Sequence, residues 1–206
     1  AGQRLFQARG LMEYGSILGH GGYLGQDFTA EYLRLEATSV GDQLAAEGVA
    51  DPATATRDML RTNRYDPSTG VLTWTDEQVT AYNEAVAHYT RLFGPEAHDH
   101  GLKPDLITDP TEVRQVTAFF GWTAWGSAAQ RPGLDYSYTN NWPPEPLVGN
   151  APTGDLMIWS VLSLVVLIGG IGGMFAIYGR WSRKIGWRSE EAPGLSFRQP
   201  GEIGLT

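Results

Sequence analysis

One uncharged stretch limits the architecture of this chain more than any other feature. Residues 156–178, LMIWSVLSLVVLIGGIGGMFAIY, carry no acidic or basic side chain. A helix of about 20 apolar residues crosses the hydrocarbon core of a bilayer. Helices of globular proteins average about 10–14 residues, so a buried helix of a soluble core is the weaker interpretation. The sequence therefore predicts one transmembrane helix and a lipid bilayer as its surroundings.

The charges that flank this stretch predict its orientation. Asp155 precedes it, and four basic residues follow it: Arg180, Arg183, Lys184 and Arg188. Basic residues favour the cytoplasmic side of a membrane. We therefore expect the tail in the cytoplasm and residues 1–150 on the extracytoplasmic side of the inner or plasma membrane. Within the stretch, Gly169 and Gly173 have the spacing that lets another helix pack closely.

Composition excludes several classes of function. The chain has no cysteine, which rules out disulfides, zinc sites built on thiolates, thiol nucleophiles and the covalent attachment of a c-type haem. Before Gly154 there are 19 acidic and 10 basic residues. We therefore expect no nucleic-acid partner, since such binding depends on cationic side chains that neutralise phosphates.

Helix-start signals predict a mainly α-helical outer region. Asp51 and Asp109 each precede a proline at a first helical position, and Thr75 lies three residues before Gln78, as in a capping box. Residues 63–75, NRYDPSTGVLTWT, combine turn residues with strand formers and predict a short β-hairpin. We divide the chain into an outer domain (1–150), a transmembrane helix with its flanks (151–181) and a cytoplasmic linker (182–206).

Two segments leave alternatives open. In TAFFGWTAWGSAA, residues 117–129, Phe120 and Ala124 are predicted to face a core, whereas Trp122 and Trp125 could contact the core, lipid headgroups or a partner. The triplet His98, Asp99 and His100 lies in a turn-rich segment and favours a solvated turn over a metal site.

A glycine-rich segment, residues 14–26, directly precedes a predicted helix. Its glycines fit a helix entry with left-handed turns. They also fit a small cation site in which freed backbone carbonyls and the side chain of Tyr23 supply oxygen ligands. Calcium needs more oxygen ligands than this segment offers, so the others would have to come from elsewhere.

Several long motifs, in order, resemble one enzyme family. GLMEYGSILGHGGYLGQDFTAEYL, NRYDPSTGVLT, TAFFGWTAWGSAAQRPGLDYSYTNNWPPEPLVGNAPTGD and the span that ends in IYGRW are similar to the start of the quinol-dependent nitric oxide reductases. The resemblance implies a cytochrome c-like domain that has lost its haem. Leu11, Tyr14 and Gly15 then occupy the places of the two cysteines and the histidine of a haem-attachment motif, and membrane quinol becomes the electron donor.

The same resemblance assigns the glycine-rich segment a role. It implies that Gly21, through its backbone oxygen, and Tyr23, through its side chain, bind a calcium ion that bridges to the catalytic part. That part, a multi-helix membrane domain or subunit of the haem–copper oxidase superfamily, would hold haem b, haem b3 and non-haem iron and reduce two NO to N2O and water in denitrification. Residues 1–206 would hold no cofactor alone, contain no catalytic residue and be inactive by themselves.

A different class of protein also has an outer domain and one transmembrane helix. A single-span anchored module could bind an extracytoplasmic ligand or act as an adaptor without any redox role.

Because an outer domain must be exported and residues 1–10 do not resemble a signal peptide, we expect an export element ahead of Ala1.

Overall fold

The computed structural model describes residues 1–181, and the predicted linker, residues 182–206, lies outside the described residues. The chain divides into two compact units, residues 1–150 and residues 151–206. The first unit holds five α-helices: α1 (Gly2–Ala8), α2 (Phe28–Ala46), α3 (Pro52–Arg61), α4 (Asp76–Phe93) and α5 (Pro110–Ala128). Short 3-10 turns lie at Leu11–Glu13, Ala97–His100 and Pro146–Val148. The predicted mainly α-helical fold is confirmed.

The helix starts follow the capping signals of the sequence. Asp51 accepts a hydrogen bond from the backbone N–H of Thr54, at 3.0 Å, and Asp109 accepts one from Thr111, at 2.8 Å. Thr75 and Gln78 form the predicted capping box at the start of α4. These side chains satisfy backbone donors that the first turn of a helix leaves unpaired, so they fix where each helix begins.

The core lies where α2, α4 and α5 pack on one another, with α1 against α5. Its largest side chains are aromatic and come from four helices: Phe6, Phe28, Tyr32, Tyr89, Phe93 and Phe120. Because each helix contributes its ring to the same cluster, the four helices hold one another in place.

Two small antiparallel hairpins accompany the helices. The predicted one consists of β3 (Tyr65–Asp66) and β4 (Val71–Leu72), with Tyr65 opposite Leu72. The other, β1 (Ser16–Ile17) with β2 (His20–Gly21), lies within the glycine-rich segment. The sequence interpretation missed this second hairpin, because glycine is a weak strand former and the strands have only two residues each.

The structure decides between the alternatives that the sequence left open for Trp125 of α5. Trp125 is buried and packs against Tyr65 and Tyr138, with ring centroids 5.9 Å and 4.8 Å away. The alternative in which Trp125 contacts lipid headgroups is therefore wrong, because the hairpin β3–β4 and the loop after α5 cover its ring. Trp122, on the same helix, is partly exposed.

The described part of the second unit, residues 151–181, contains the helix α6 (Gly154–Trp181). It is long and apolar enough to cross a membrane, and none of its described side chains is buried. An apolar helix without a covering protein surface is typical of a segment that meets lipid or another apolar helix.

Candidate functional site

The glycine-rich segment folds back on the 3-10 turn that precedes it. The backbone N–H of Gly22 lies 2.6 Å from the carbonyl oxygen of Met12 and 3.0 Å from that of Gly15. At the other end, the N–H of Ser16 donates to the carbonyl of Gln26 at 3.1 Å. These main-chain bonds tie both arms of hairpin β1–β2 to the body of the unit, so the hairpin has a defined position.

Asp27 links this hairpin to α2. Its carboxylate oxygen Oδ2 accepts hydrogen bonds from the Ser16 hydroxyl and the Gly19 N–H, both at 2.7 Å, while Oδ1 caps α2 through Ala30 at 2.9 Å. Partial burial of Asp27 opposes its ionisation, but the hydrogen bonds from Gly19, Ala30 and Ser16 outweigh burial and lower the pKa of Asp27. One ionised side chain thus fixes both the start of the helix and the turn of the hairpin.

Close backbone contact explains the glycine at position 21. A Cβ atom there would lie 2.4 Å from the carbonyl oxygen of Gly15, and the φ angle of Gly21 is +143°. A side chain would meet immobile backbone in a conformation that L-residues rarely adopt. Both the φ angle and the close contact therefore require glycine at position 21.

The two predicted calcium ligands are Gly21, a partly exposed residue of β2, and Tyr23, which follows the hairpin. Tyr23 is 91% exposed and its neighbour Leu24 is 96% exposed, so neither side chain packs on the first unit. Gly21 and Tyr23 supply one carbonyl and one phenol oxygen, whereas calcium takes six to eight oxygen ligands. Among residues 1–181, no group of three or more His, Asp or Glu side chains is placed to hold a metal. Two oxygen donors are too few for calcium, so the calcium site stays a prediction that needs ligands from outside these residues.

The stretch that resembles a haem-attachment motif is packed into the core. Leu11 is fully buried, and Tyr14 packs against the main cluster. A Cβ atom on Gly15 would lie 2.4 Å from the carbonyl oxygen of Gln26 and 2.7 Å from the ring of Phe28. The position that corresponds to the histidine of the motif therefore has no room for any side chain.

Aromatic rings fill the interior beside this stretch. Phe28 and Phe120 are stacked with ring centroids 4.7 Å apart, and Tyr89 and Phe93 are stacked at 5.6 Å. Phe6 meets Phe28 edge to face at 5.9 Å. Such offset and edge-to-face contacts are the arrangements that aromatic pairs prefer, so the interior is a well-packed hydrocarbon core.

A buried carboxyl group lies between α2 and α4. Glu36 is 5% exposed, and its Oε1 accepts a hydrogen bond from Nε2 of Gln78 at 2.8 Å. Burial raises the pKa of Glu36 to about 7, against the smaller opposing effect of this hydrogen bond. Tyr32 is buried as well, and its own burial, together with the nearby Glu36, raises the pKa of Tyr32 far above its ordinary value.

Sequence reasoning missed this carboxyl group. Its signal was present: Glu36 lies four residues after Tyr32 and four before Val40, both fully buried, and so on the apolar face of α2. A second side-chain hydrogen bond joins the same two helices, between Nε2 of His88 and Oε1 of Glu31, at 3.0 Å. Both pairs link α2 to α4.

The His98–His100 triplet lies on the surface. Its segment forms the 3-10 turn Ala97–His100, and the side chains of His98 and Asp99 are 87% and 82% exposed. Nδ1 of His98 lies 3.9 Å from Oδ1 of Asp99, and no third described ligand joins them. The arrangement is that of a solvated turn.

These features define a helical, cytochrome c-like domain whose interior is filled by side chains, followed by a helix that could span a membrane. A family model for the cytochrome c-like domain of NorB, a nitric oxide reductase protein, matches residues 1–144. The chain belongs to this family, which supports its assignment as part of a nitric oxide reductase. Among curated proteins, none matches the chain.

Proposed function

We propose that this chain is the haem-free extracytoplasmic cap of a quinol-dependent nitric oxide reductase. It docks on the haem-bearing catalytic part and takes no part in bond making or breaking itself. The observation that carries this proposal is the packing around Gly15, where a Cβ atom would collide with Gln26 and Phe28. A domain with this interior has no place for a haem and its axial histidine.

Electron supply follows from this packing. In a haem-bearing domain of this kind, a soluble cytochrome would pass electrons through the domain toward the catalytic part. Aromatic side chains cannot replace a haem as a redox centre at physiological potentials, so electrons must reach the catalytic part by another route. A quinol in the bilayer around α6 supplies that route.

Docking would use the outer side of hairpin β1–β2. Gly21 lies in a strand where backbone contacts leave no room for a side chain, and the side chain of Tyr23 is exposed. A calcium ion there would supply a fixed positive charge for carboxylate groups of the catalytic part. On our proposal, this chain contributes two oxygen ligands, and the catalytic part contributes the remainder along with haem b, haem b3 and non-haem iron.

The membrane arrangement completes the proposal. Basic residues after α6 favour a cytoplasmic tail, which places the first unit outside the inner or plasma membrane. Gly169 and Gly173 lie on one face of α6 with open space around them, where a helix of the catalytic part can approach closely.

Purification of the native assembly tests this function. An affinity tag on this chain is used to isolate it from native membranes, and a reduced-minus-oxidised absorption spectrum is recorded. We expect b-type haem bands without a c-type signal, and NO consumption on addition of quinol. Reduced soluble cytochrome c serves as the control donor and should support no turnover.

Other results would contradict the proposal. A c-type signal, or turnover with cytochrome c alone, would contradict the haem-free cap. A colourless, inactive preparation would instead favour the single-span anchored binding or adaptor module.

A further inference from the structure

The loop after α5 presents an exposed tryptophan. Trp142 is 76% exposed. Such exposure is unusual for a tryptophan, because its large ring is buried in most proteins. Residues 136–144, YSYTNNWPP, contain no charged side chain. The nearest charged residues along the chain are Asp135 and Glu145, so Trp142 lies in an uncharged run of nine residues.

A buried arginine holds this loop in shape. The guanidinium of Arg131, 3% exposed, donates hydrogen bonds to the carbonyl oxygens of Pro143 at 2.7 Å, Asn140 at 2.5 Å and Tyr138 at 3.3 Å. Between these points, the side-chain amide of Asn140 donates to the carbonyl of Trp142 at 3.0 Å. The backbone on both sides of Trp142 is thus fixed while the indole itself is left uncovered.

The burial of Arg131 is explained by these bonds and by the rings beside it. Its guanidinium carbon lies 5.3 Å from the ring centroid of Tyr136 and 5.8 Å from that of Tyr138. A buried cation is costly unless carbonyls and aromatic faces replace its hydration. An arrangement of this cost indicates that the position of the loop matters.

Only a short connection along the chain separates this loop from the first residue of α6. The side-chain amide of Asn150 donates to the carbonyl of Asn140 at 3.3 Å, so Asn150 belongs to the fixed loop. Only four residue steps separate Asn150 from Gly154, the first residue of α6. An extended chain covers about 3.4 Å per residue, so these steps span at most about 14 Å.

From this we infer that Trp142 inserts its indole into the headgroup region of the outer leaflet of the bilayer. Tryptophan prefers this region because its ring is apolar and its N–H can bond to headgroups or water. The inference rests on the part of the proposed function in which α6 spans the membrane, and it adds a second attachment of the chain to the bilayer.

A single spin label tests the insertion. Because the chain has no cysteine, Trp142→Cys offers one attachment site for a nitroxide. Val79→Cys, at an exposed position on α4, is the matched control. Both labelled full-length chains are placed in nanodiscs of phosphatidylcholine and phosphatidylglycerol, and collisions with apolar oxygen and a polar nickel chelate are compared. The same labels are then introduced into the purified reductase assembly, with the unsubstituted assembly as the labelling blank.

Insertion predicts a several-fold higher ratio of oxygen to nickel collisions at position 142 than at position 79, in the chain alone and in the assembly. A water-like ratio at position 142 would overturn the inference. A label shielded from both reagents in the assembly would also overturn it, and would show that the catalytic part covers Trp142. NO turnover, measured on the same assembly, reports separately on the proposed function.

Discussion

Phe28 and Phe120 stack face to face, with ring centroids 4.7 Å apart and an angle of only 4° between the ring planes. Both are fully buried, and they join α2 to α5. Phe120→Ala removes a ring that also contacts Phe6, so we expect the free energy of unfolding of the first unit to fall by about 3–5 kcal/mol. Urea titration of the full chain in detergent, followed by circular dichroism, measures this loss.

The exposed Val79 on α4 provides the control for this substitution. Val79→Ala should change the free energy of unfolding by less than about 0.5 kcal/mol. Equal losses for the two variants would show that the stacked pair does not hold the core together.

Gly15 is the second position at which the packing makes a sharp prediction. Gly15→Ala places a methyl group against the backbone of Gln26 and the buried ring of Phe28, neither of which can easily move. We expect a loss of about 3 kcal/mol in the free energy of unfolding. Gly41→Ala is the matched control, since the nearest atom to its Cβ is Oγ1 of Thr56 at 3.5 Å and alanine favours a helix interior. A tolerated Gly15→Ala would remove the main support for a haem-free interior.

The buried Glu36 makes stability depend on pH. Its pKa is about 7 in the folded chain against an ordinary value of 4.5, so the folded chain retains a proton that the unfolded chain loses between these values. The free energy of unfolding therefore falls as pH rises from about 4.5 to 7, by a total of about 3 kcal/mol. Glu36→Gln keeps the acceptor for Gln78 but cannot ionise. At pH 8 we expect it to be more stable than the natural chain by about that amount.

The test compares urea titrations of the two chains at several pH values from 5 to 8, because the contributions of all other groups cancel in the difference. The advantage of Glu36→Gln should grow with pH and level off above 7. Glu84→Gln, at an exposed position on α4, should show no such growth. A constant difference across the range would mean that Glu36 is already ionised in the folded chain at the lower end.

Asp27 should contribute more than an ordinary helix cap. Asp109→Ala removes one capping bond and should cost about 1 kcal/mol. Asp27→Ala removes a cap and two bonds to hairpin β1–β2, so we expect about 2–3 kcal/mol. Limited proteolysis should also show faster cleavage between β1 and β2 in Asp27→Ala alone. Equal losses and equal cleavage for the two variants would show that the hairpin keeps its shape without Asp27.

Local signals in the sequence were sufficient for three of the helix starts. Asp51, Thr75 and Asp109 all start helices as predicted, because capping depends on residues only two or three positions apart. The hairpin at Tyr65 was predicted for the same reason, since its turn chemistry is local.

Long-range contacts account for what the sequence left open. Trp125 is buried by Tyr138 and Tyr65, which are 13 and 60 positions away, and no pattern within α5 records this. The hydrogen bond between Glu36 and Gln78 likewise joins side chains 42 positions apart. Contacts of this kind depend on how the helices pack, which periodicity within one helix does not determine.

Substitution of Tyr23 should affect docking on the catalytic part without affecting the stability of the first unit. Its side chain is 91% exposed and packs on nothing in the first unit, so Tyr23→Phe should leave the free energy of unfolding within about 0.5 kcal/mol of the natural value. In the purified reductase, loss of the phenol oxygen should lower the calcium content per haem and change the haem spectrum, because one of the few ligands from this chain is gone. Tyr136→Phe, in the loop after α5, is the matched control and should alter neither. Unchanged calcium and spectra in Tyr23→Phe would contradict a bridging ion at this position, while the close packing around Gly15 would be unaffected.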